Sequence, residues 1–322
     1  MNDSALPSAT FGPYRARRVI GRGGAGVVVE AVHTRTGRRV AIKTLAGAHA
    51  EQPVIVARFE REARIIAHLE HPHVVAAHEV GVEAGRPYLV MEMLDGETLA
   101  MRLARSVRLD LQEIAAVFLP VCTAIAAAHR AGIIHRDLKP SNVMLARGSE
   151  GIVPKVLDFG LSKIAGSPES DLSQGTGVLG TMRYLAPETA CSGVVGTPCD
   201  LYALGLMLFE CAAGRGPFGS TGFSVVQAHL TDRPLPALRS IAPELPAAFE
   251  EVVLCALRRD PRARFPTAVA LARALLPFAH PATREVWAHA LAVTEGPARG
   301  SSPPPPPLKK RRYGAAIFSR SF

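Results

Sequence analysis

From Tyr14 to about Leu94 the chain runs in short apolar or alternating bursts: YRARRVIG, GVVVEAVHT, RRVAIKTLA, HVVAAHEVG and RPYLVMEML. Turn residues such as Thr36-Gly37 and Ala84-Gly85 separate them, and the pattern predicts strands joined by tight turns. One stretch breaks the alternation. Ile55, Phe59, Ala63, Ile66 and Leu69 keep helical spacing and predict a helix over about 53–69. From Thr98 onward the period is helical, with helices expected over 111–132, 201–214, 249–258 and 268–276. Gly214 stands where a helix C-terminus often does. The most apolar run, Ile114 to His129, contains Pro120 and falls short of the roughly 20 residues a bilayer requires. It reads as a buried helix.

The coarse architecture is α+β: a small antiparallel sheet with one main helix, then a larger, mostly helical part. A polar leader (1–13) precedes a main domain (14–278) with lobes 14–94 and 95–278. HPATREVWAHALAV predicts an additional helix within 279–296. Residues 297–322 are low in complexity, and their proline run is expected to be a stiff spacer inside a disordered basic tail.

Net charge changes this picture little. The chain carries +9, but Arg299, Lys309, Lys310, Arg311, Arg312 and Arg320 sit in the tail, leaving 31 basic and 28 acidic residues elsewhere. That balance gives no reason to expect nucleic acid. The tail has basic residues for weak contact with an acidic membrane surface, through Lys309 to Arg312. YGAAIFSRSF after them is only ten residues long and includes Arg320, so no span is expected there. The start of the chain has no signal-peptide pattern. Five scattered cysteines without a CxxC fit reduced thiols, and a soluble cytoplasmic location is the expectation. His68, His71, His73 and His78 crowd together without cysteine or acidic ligands at metal spacing, and read as loop residues.

The candidate chemistry lies in four stretches. IGRGGAGVV, residues 20–28, is G-x-G-x-x-G-x-V between two strands; a dinucleotide fingerprint would need a helix after Gly26, so a phosphate-covering hairpin fits better. In VAIK, Lys43 ends an apolar strand and needs a partner to be buried cheaply. Glu60 and Glu62 point about 200° apart on the following helix, and Glu62 is the one on the inner face. In LDFG, Asp158 is brought back beside Asn142 by the intervening strand-like IVPKVL, a pair of oxygen ligands suited to magnesium. In HRDLKPSN, Asp137 is placed to accept a hydroxyl proton, Lys139 to stabilise a moving phosphoryl group and Asn142 to bind metal; Arg136 is left to face an anion.

GRGGAGVV, VAIK, HRDLKPSN, DFG and APE at 186–188 follow one another at spacings that resemble the eukaryotic-type (Hanks-type) serine/threonine protein kinases, in the style of their bacterial branch. The resemblance covers about 14–278 and implies a bilobal kinase fold. It implies an activity too: transfer of the γ-phosphoryl group of ATP, with Mg2+ or Mn2+, to protein serine or threonine hydroxyls. By the same resemblance Ile20, Gly21, Arg22, Gly23, Gly24, Ala25, Gly26, Val27 and Val28 form the ATP lid. Ala41 and Leu145 sandwich adenine, Met91 is the gatekeeper, and Glu92 to Leu94 form the hinge. Asp200 braces the HRD backbone, Glu188 pairs with Arg264, and Thr181 contacts Asp137 and Lys139. An activation segment, 158–188, is expected to carry phosphorylation at Ser173 or Thr176, with Ser170 behind them, docking on Arg136. Autophosphorylation between transiently paired copies is expected with it.

Two positions depart from the family pattern: the lid tip is Gly24-Ala25, and Val29 stands where an aromatic is frequent. A pseudokinase scaffold is the alternative. Loss of chemistry would show at Lys43, Asp137, Asn142 or Asp158, and all four are present. Small-molecule kinases lack the long activation segment and APE element.

Overall fold

The computed structural model describes residues 9–22, 26–45, 47–159, 182–219 and 221–293, with the backbone alone at 47, 48, 58, 62 and 293. Among these residues, six strands form one antiparallel sheet: β1 (Thr10–Phe11), β2 (Tyr14–Arg22), β3 (Gly26–His33), β4 (Arg39–Leu45), β5 (Ala77–Glu83) and β6 (Arg86–Glu92), in the order β1-β2-β3-β4-β6-β5. Helix α1 (Pro53–Ala67) packs on one face of it.

Strand alternation sorts the side chains of this sheet between two cores. Val27, Val29, Val40, Ile42, Tyr88 and Val90 form an outer cluster with Phe11 and Tyr14. Ala41, Leu89 and Met91 point the other way and join Ile55, Phe59, Ala63 and Ile66 of α1. Gly26 is required at the start of β3, because a Cβ there would lie 2.5 Å from the Thr44 carbonyl oxygen. Residues 73–76 are not the strand that HVVAAHEVG predicts. Val74 and Val75 are buried, and their backbone turns to the lower lobe instead of β6: Val75 N donates to Val156 O at 3.0 Å.

The lower lobe begins with β7 (Gly96–Thr98), α2 (Leu99–Ser106) and α3 (Leu111–Arg130). Asp110 caps α3 by accepting from Glu113 N at 2.8 Å, and Pro120 is carried inside the helix. At 20 residues α3 is long and apolar enough to cross a membrane by length and composition, longer than the apolar run alone implied. Its place in the fold is the core: Ile114, Phe118, Leu119, Cys122 and Ile125 are fully buried. Strands β8 (Val143–Gly148) and β9 (Gly151–Val156) form a hairpin that pairs with β7. Helices α4 (Pro187–Ser192), α5 (Thr197–Ala213), α6 (Gly222–Leu230), α7 (Ala247–Ala256), α8 (Ala268–Leu275) and α9 (Pro281–Val293) follow. The apolar pattern predicts α5 four residues too short, because its first turn, TPCD, opens with Thr197-Pro198 and holds Asp200, and so reads as a turn rather than as part of the apolar run. The leader to residue 8 and the tail from 294 lie outside the described residues.

Candidate active site

The cleft between the lobes has an apolar roof. Ala41 and Met91 are cross-strand partners on β4 and β6 and are 7% and 6% exposed. Leu145 on β8 belongs to the same buried cluster from below, with Val28 and Leu94 packed against it. Ile20 lies on β2 at the rim, more than a third exposed. Val27 does not share this face; its side chain belongs to the outer cluster. Gly21, Arg22 and Gly26 flank the lid, while Gly23, Gly24 and Ala25 lie outside the described residues. Val29 sits in the outer cluster, fully buried.

The catalytic-type loop is built on a buried carboxylate. Asp200, in the first turn of α5, is 1% exposed. Its Oδ2 accepts from His135 N at 2.8 Å and contacts His129 Nε2 at 2.8 Å; its Oδ1 accepts from Arg136 N at 2.9 Å. These bonds hold Arg136 at φ +65, a conformation that costs a non-glycine residue energy and needs such fixing. His135 is fully buried and its ring joins the two halves of the site. Its Nδ1 accepts from Asp137 N at 3.3 Å, so Nε2 is the donor to Leu157 O at 2.8 Å. Burial pushes the imidazole pKa down, which keeps this neutral tautomer.

Asp137, 6% exposed, is held from two sides. Lys139 Nζ lies 2.8 Å from its Oδ2, and Asn142 Nδ2 donates to the Asp137 carbonyl at 2.7 Å and to Oδ2 at 3.1 Å. The β8–β9 hairpin then returns the chain: Leu157 N donates to Asn142 O at 2.8 Å, which sets Asp158 beside Asn142. Asp158 has φ +48, and Phe159 packs its ring 4.7 Å from that of His135.

Lys43 Nζ reaches down from β4 to Asp158 Oδ1 at 2.8 Å. Burial raises the Asp158 carboxyl, but the charge and hydrogen bond of Lys43, with Lys139 nearby, outweigh it and hold the pKa below its ordinary value. Glu62, the partner expected for Lys43, has its side chain outside the described residues. Asn142 commits its amide nitrogen to Asp137, so the carbonyl oxygen is the atom it can offer a ligand. One carboxylate and one amide oxygen are hard donors that fit magnesium, which takes few protein ligands when phosphates supply the rest.

Below the cleft, Arg264 is fully buried and its five N–H groups are all used. Nη1 and Nη2 donate to Glu188 Oε1 and Oε2 at 2.8 and 2.6 Å; Nη1 also reaches Pro198 O, Nη2 Arg259 O, and Nε Arg258 O. The guanidinium stacks over Tyr202, 4.8 Å from the ring centre. Thr181, Ser170, Ser173 and Thr176 lie outside the described residues.

Three participants escaped the sequence reading. His135 was passed over within its own motif. His129, six residues before it on α3, joins Asp200. Lys155 on β9 bonds Glu92 Oε1 at 2.6 Å, and the same oxygen accepts from Ala76 N at 2.7 Å, tying the end of β6 to both lobes. The available signals were weak: histidines close before HRD, and a lone lysine inside the strand-like IVPKVL.

Comparison with known proteins agrees with this geometry. A family model described as protein kinase domain matches residues 14–276. The probable serine/threonine-protein kinase SCO3848 of Streptomyces coelicolor is 38% identical over 267 residues, 81% of this chain and 39% of that protein. Serine/threonine-protein kinase Pkn1 of Myxococcus xanthus is 38% identical over 272 residues, 84% of this chain and 39% of that protein. The chain thus spans about two fifths of the length of these relatives. The crystal structure of the Mycobacterium tuberculosis PknI kinase domain superposes with a TM-score of 0.65 at 29% identity, covering 84% of this chain and 98% of that one. With a bilobal fold, a lysine–aspartate pair across the cleft and a family match over most of its length, this chain belongs to the protein kinase family, among its bacterial serine/threonine members.

Proposed function

We propose that the protein is an active serine/threonine kinase that transfers the γ-phosphoryl group of Mg-ATP to protein hydroxyls. The observation that carries the proposal is the meeting of Lys43 with Asp158 across the cleft, next to the Asp137–Lys139–Asn142 cluster. Ala41, Met91 and Leu145 provide an apolar slot for adenine, and the backbone of 92–94 supplies its hydrogen bonds. Lys43 fixes phosphate oxygens. Asn142 and Asp158 would hold the divalent ion, which supplies charge neutralisation on the phosphates. Asp137 accepts the substrate hydroxyl proton, and Lys139, bonded to it, is positioned to stabilise charge on the transferred group. Thr181 and the phosphorylation sites Ser173 and Thr176 complete this reading as expectations, with Arg136 as the phosphate's dock and a second copy as the phosphorylating partner.

Transfer of labelled γ-phosphate to a generic basic protein tests it. Asp137→Ala should lower the rate by about 10²–10⁴-fold. Nucleotide binding by the wild type without any transfer would favour the scaffold reading. Mapping the labelled peptides reports hydroxyl preference and any modification within 160–181.

A further inference from the structure

Helix α9, Pro281–Val293, is attached along one narrow edge. Leu291 is 1% exposed, Thr283 and Trp287 are half-buried, and the rest of its described side chains face solvent. An isolated helix of this length is marginal in water, so the contacts of that edge decide whether it forms. Two of them anchor it to the lower lobe: Leu291 enters the core, and Arg273 Nη2 of α8 donates to Leu291 O at 3.1 Å. The third packs against the edge of the same core and reaches beyond it. The Trp287 ring packs on His73, centroids 5.7 Å apart and planes tilted by 44°.

His73 belongs to the loop that follows α1 and leads into β5. This loop is bonded both to β9, which leads to Asp158, and to Glu92 at the end of β6. His73 Nδ1 bonds Pro154 O at 2.9 Å, and its carbonyl accepts from Val156 N at 2.8 Å, two residues before Asp158. Val75 N returns a bond to Val156 O at 3.0 Å. Ala76 N donates to Glu92, which ends β6 at the hinge and also holds Lys155. A displacement at His73 is therefore passed to β9, which leads to Asp158, and through Val75 and Ala76 toward Glu92 at the hinge.

From this placement we infer that α9 braces the back of the cleft and that Trp287 is a positioning residue for nucleotide binding, acting through His73. The bland alternative is a terminal helix that only completes the core, which Leu291 enters and Trp287 packs against; the contact with His73 is the part such a role does not require. An aromatic contact of this kind changes an equilibrium between two arrangements by about three- to tenfold, enough to tune a cleft without being needed to fold the chain.

The kinetic part of the inference rests on the kinase reading; the structural part does not. In the full chain, Trp287→Ala should raise the KM for Mg-ATP about three- to tenfold and leave kcat within about twofold. Trp287→Phe should restore it, and Val286→Ala, at a position 66% exposed on the same helix, should match the wild type. Hydrogen exchange at the amides of Val75, Ala76 and Val156 should quicken in Trp287→Ala while α3 and α8 stay protected. An unchanged KM, or unchanged exchange at those three amides, overturns the inference. So does faster exchange spread evenly over α3 and α8. Trp287 is the only tryptophan in the chain, so its emission reports on the brace directly. Mg-ADP should shift that emission in the wild type and equally in Asp137→Asn, where no transfer is required. A protein that shifts emission yet transfers no phosphate would refute the kinase reading and keep the brace; one that transfers phosphate with emission unmoved would do the reverse.

Discussion

The pair Glu188–Arg264 offers the sharpest test of how the lower lobe is held together. Arg264 is wholly buried and the Glu188 side chain is 13% exposed, so solvent screens their attraction little. Glu188→Gln keeps the shape and removes one charge. The guanidinium then stays buried with three backbone carbonyls and the Tyr202 face, but no counterion. Removing one partner of a buried ion pair costs about 3–5 kcal/mol. For a chain of this size that predicts a fall in Tm of roughly 10 °C. Arg264→Met should cost a similar amount, since it strands the carboxylate and the carbonyls of Arg258, Pro198 and Arg259. Because the two residues share one interaction, the double variant should fall short of the sum of the singles by at least about 1.5 kcal/mol. Urea unfolding of the four proteins at one pH completes the cycle.

Acid titration gives an independent check on the same pair. Burial raises the Glu188 carboxyl, but the hydrogen bonds from Arg264 outweigh it and its folded pKa lies below the ordinary 4.5. Such a group contributes stability that is complete above pH 4.5 and disappears as pH falls through the folded value. The gap between wild type and Glu188→Gln should thus be widest near pH 7 and close on acidification. Singles that add without coupling, or a Glu188→Gln protein within 1 kcal/mol of wild type at pH 7, would refute the reasoning.

Asp200→Asn leaves one acceptor oxygen for the two backbone N–H groups of His135 and Arg136, and the orphaned group costs about 1–3 kcal/mol; kcat should fall while the KM for ATP holds, as steady-state kinetics can show. Lys43→Met removes the charge that lowers the Asp158 carboxyl, so calorimetry should find Mg-ADP binding weakened and transfer assays a loss of about 10²-fold or more. His71 is held neutral to about pH 4, by burial first and then by the charges of His73, Arg130 and Lys155. Below about pH 6.5 the unfolded chain takes up a proton that the folded chain refuses, so stability should drop between pH 6.5 and 4. His71→Gln should flatten that limb in urea midpoints measured at pH 7 and 5.

The legible part of this molecule is the part in which a residue's neighbours in sequence are also its partners in space. HRDLKPSN closes on itself: Asp137, Lys139 and Asn142 bond one another within six residues, so their order and spacing carry the site. Asp158 was legible for a related reason, because a two-strand hairpin of readable length returns it to Asn142. Ala41 was assigned by resemblance, and strand alternation explains why it, and not Val40, turns toward the cleft. Beyond that range the pattern fails in a consistent way. HVVAAHEVG is apolar enough for a strand, but Val74 and Val75 spend their burial on β9, and nothing local says so. Asp200 could be assigned only by resemblance, since the amides it holds are 64 and 65 residues away. Trp287 lay inside a helix that was foreseen, with a partner that was not, because a helix's apolar stripe shows that it packs and leaves open against what. The same asymmetry explains why the brace is the part most open to change: an edge of three side chains can be replaced without touching any residue of the catalytic loop, whereas Asp137, Lys139 and Asn142 cannot move one without the others.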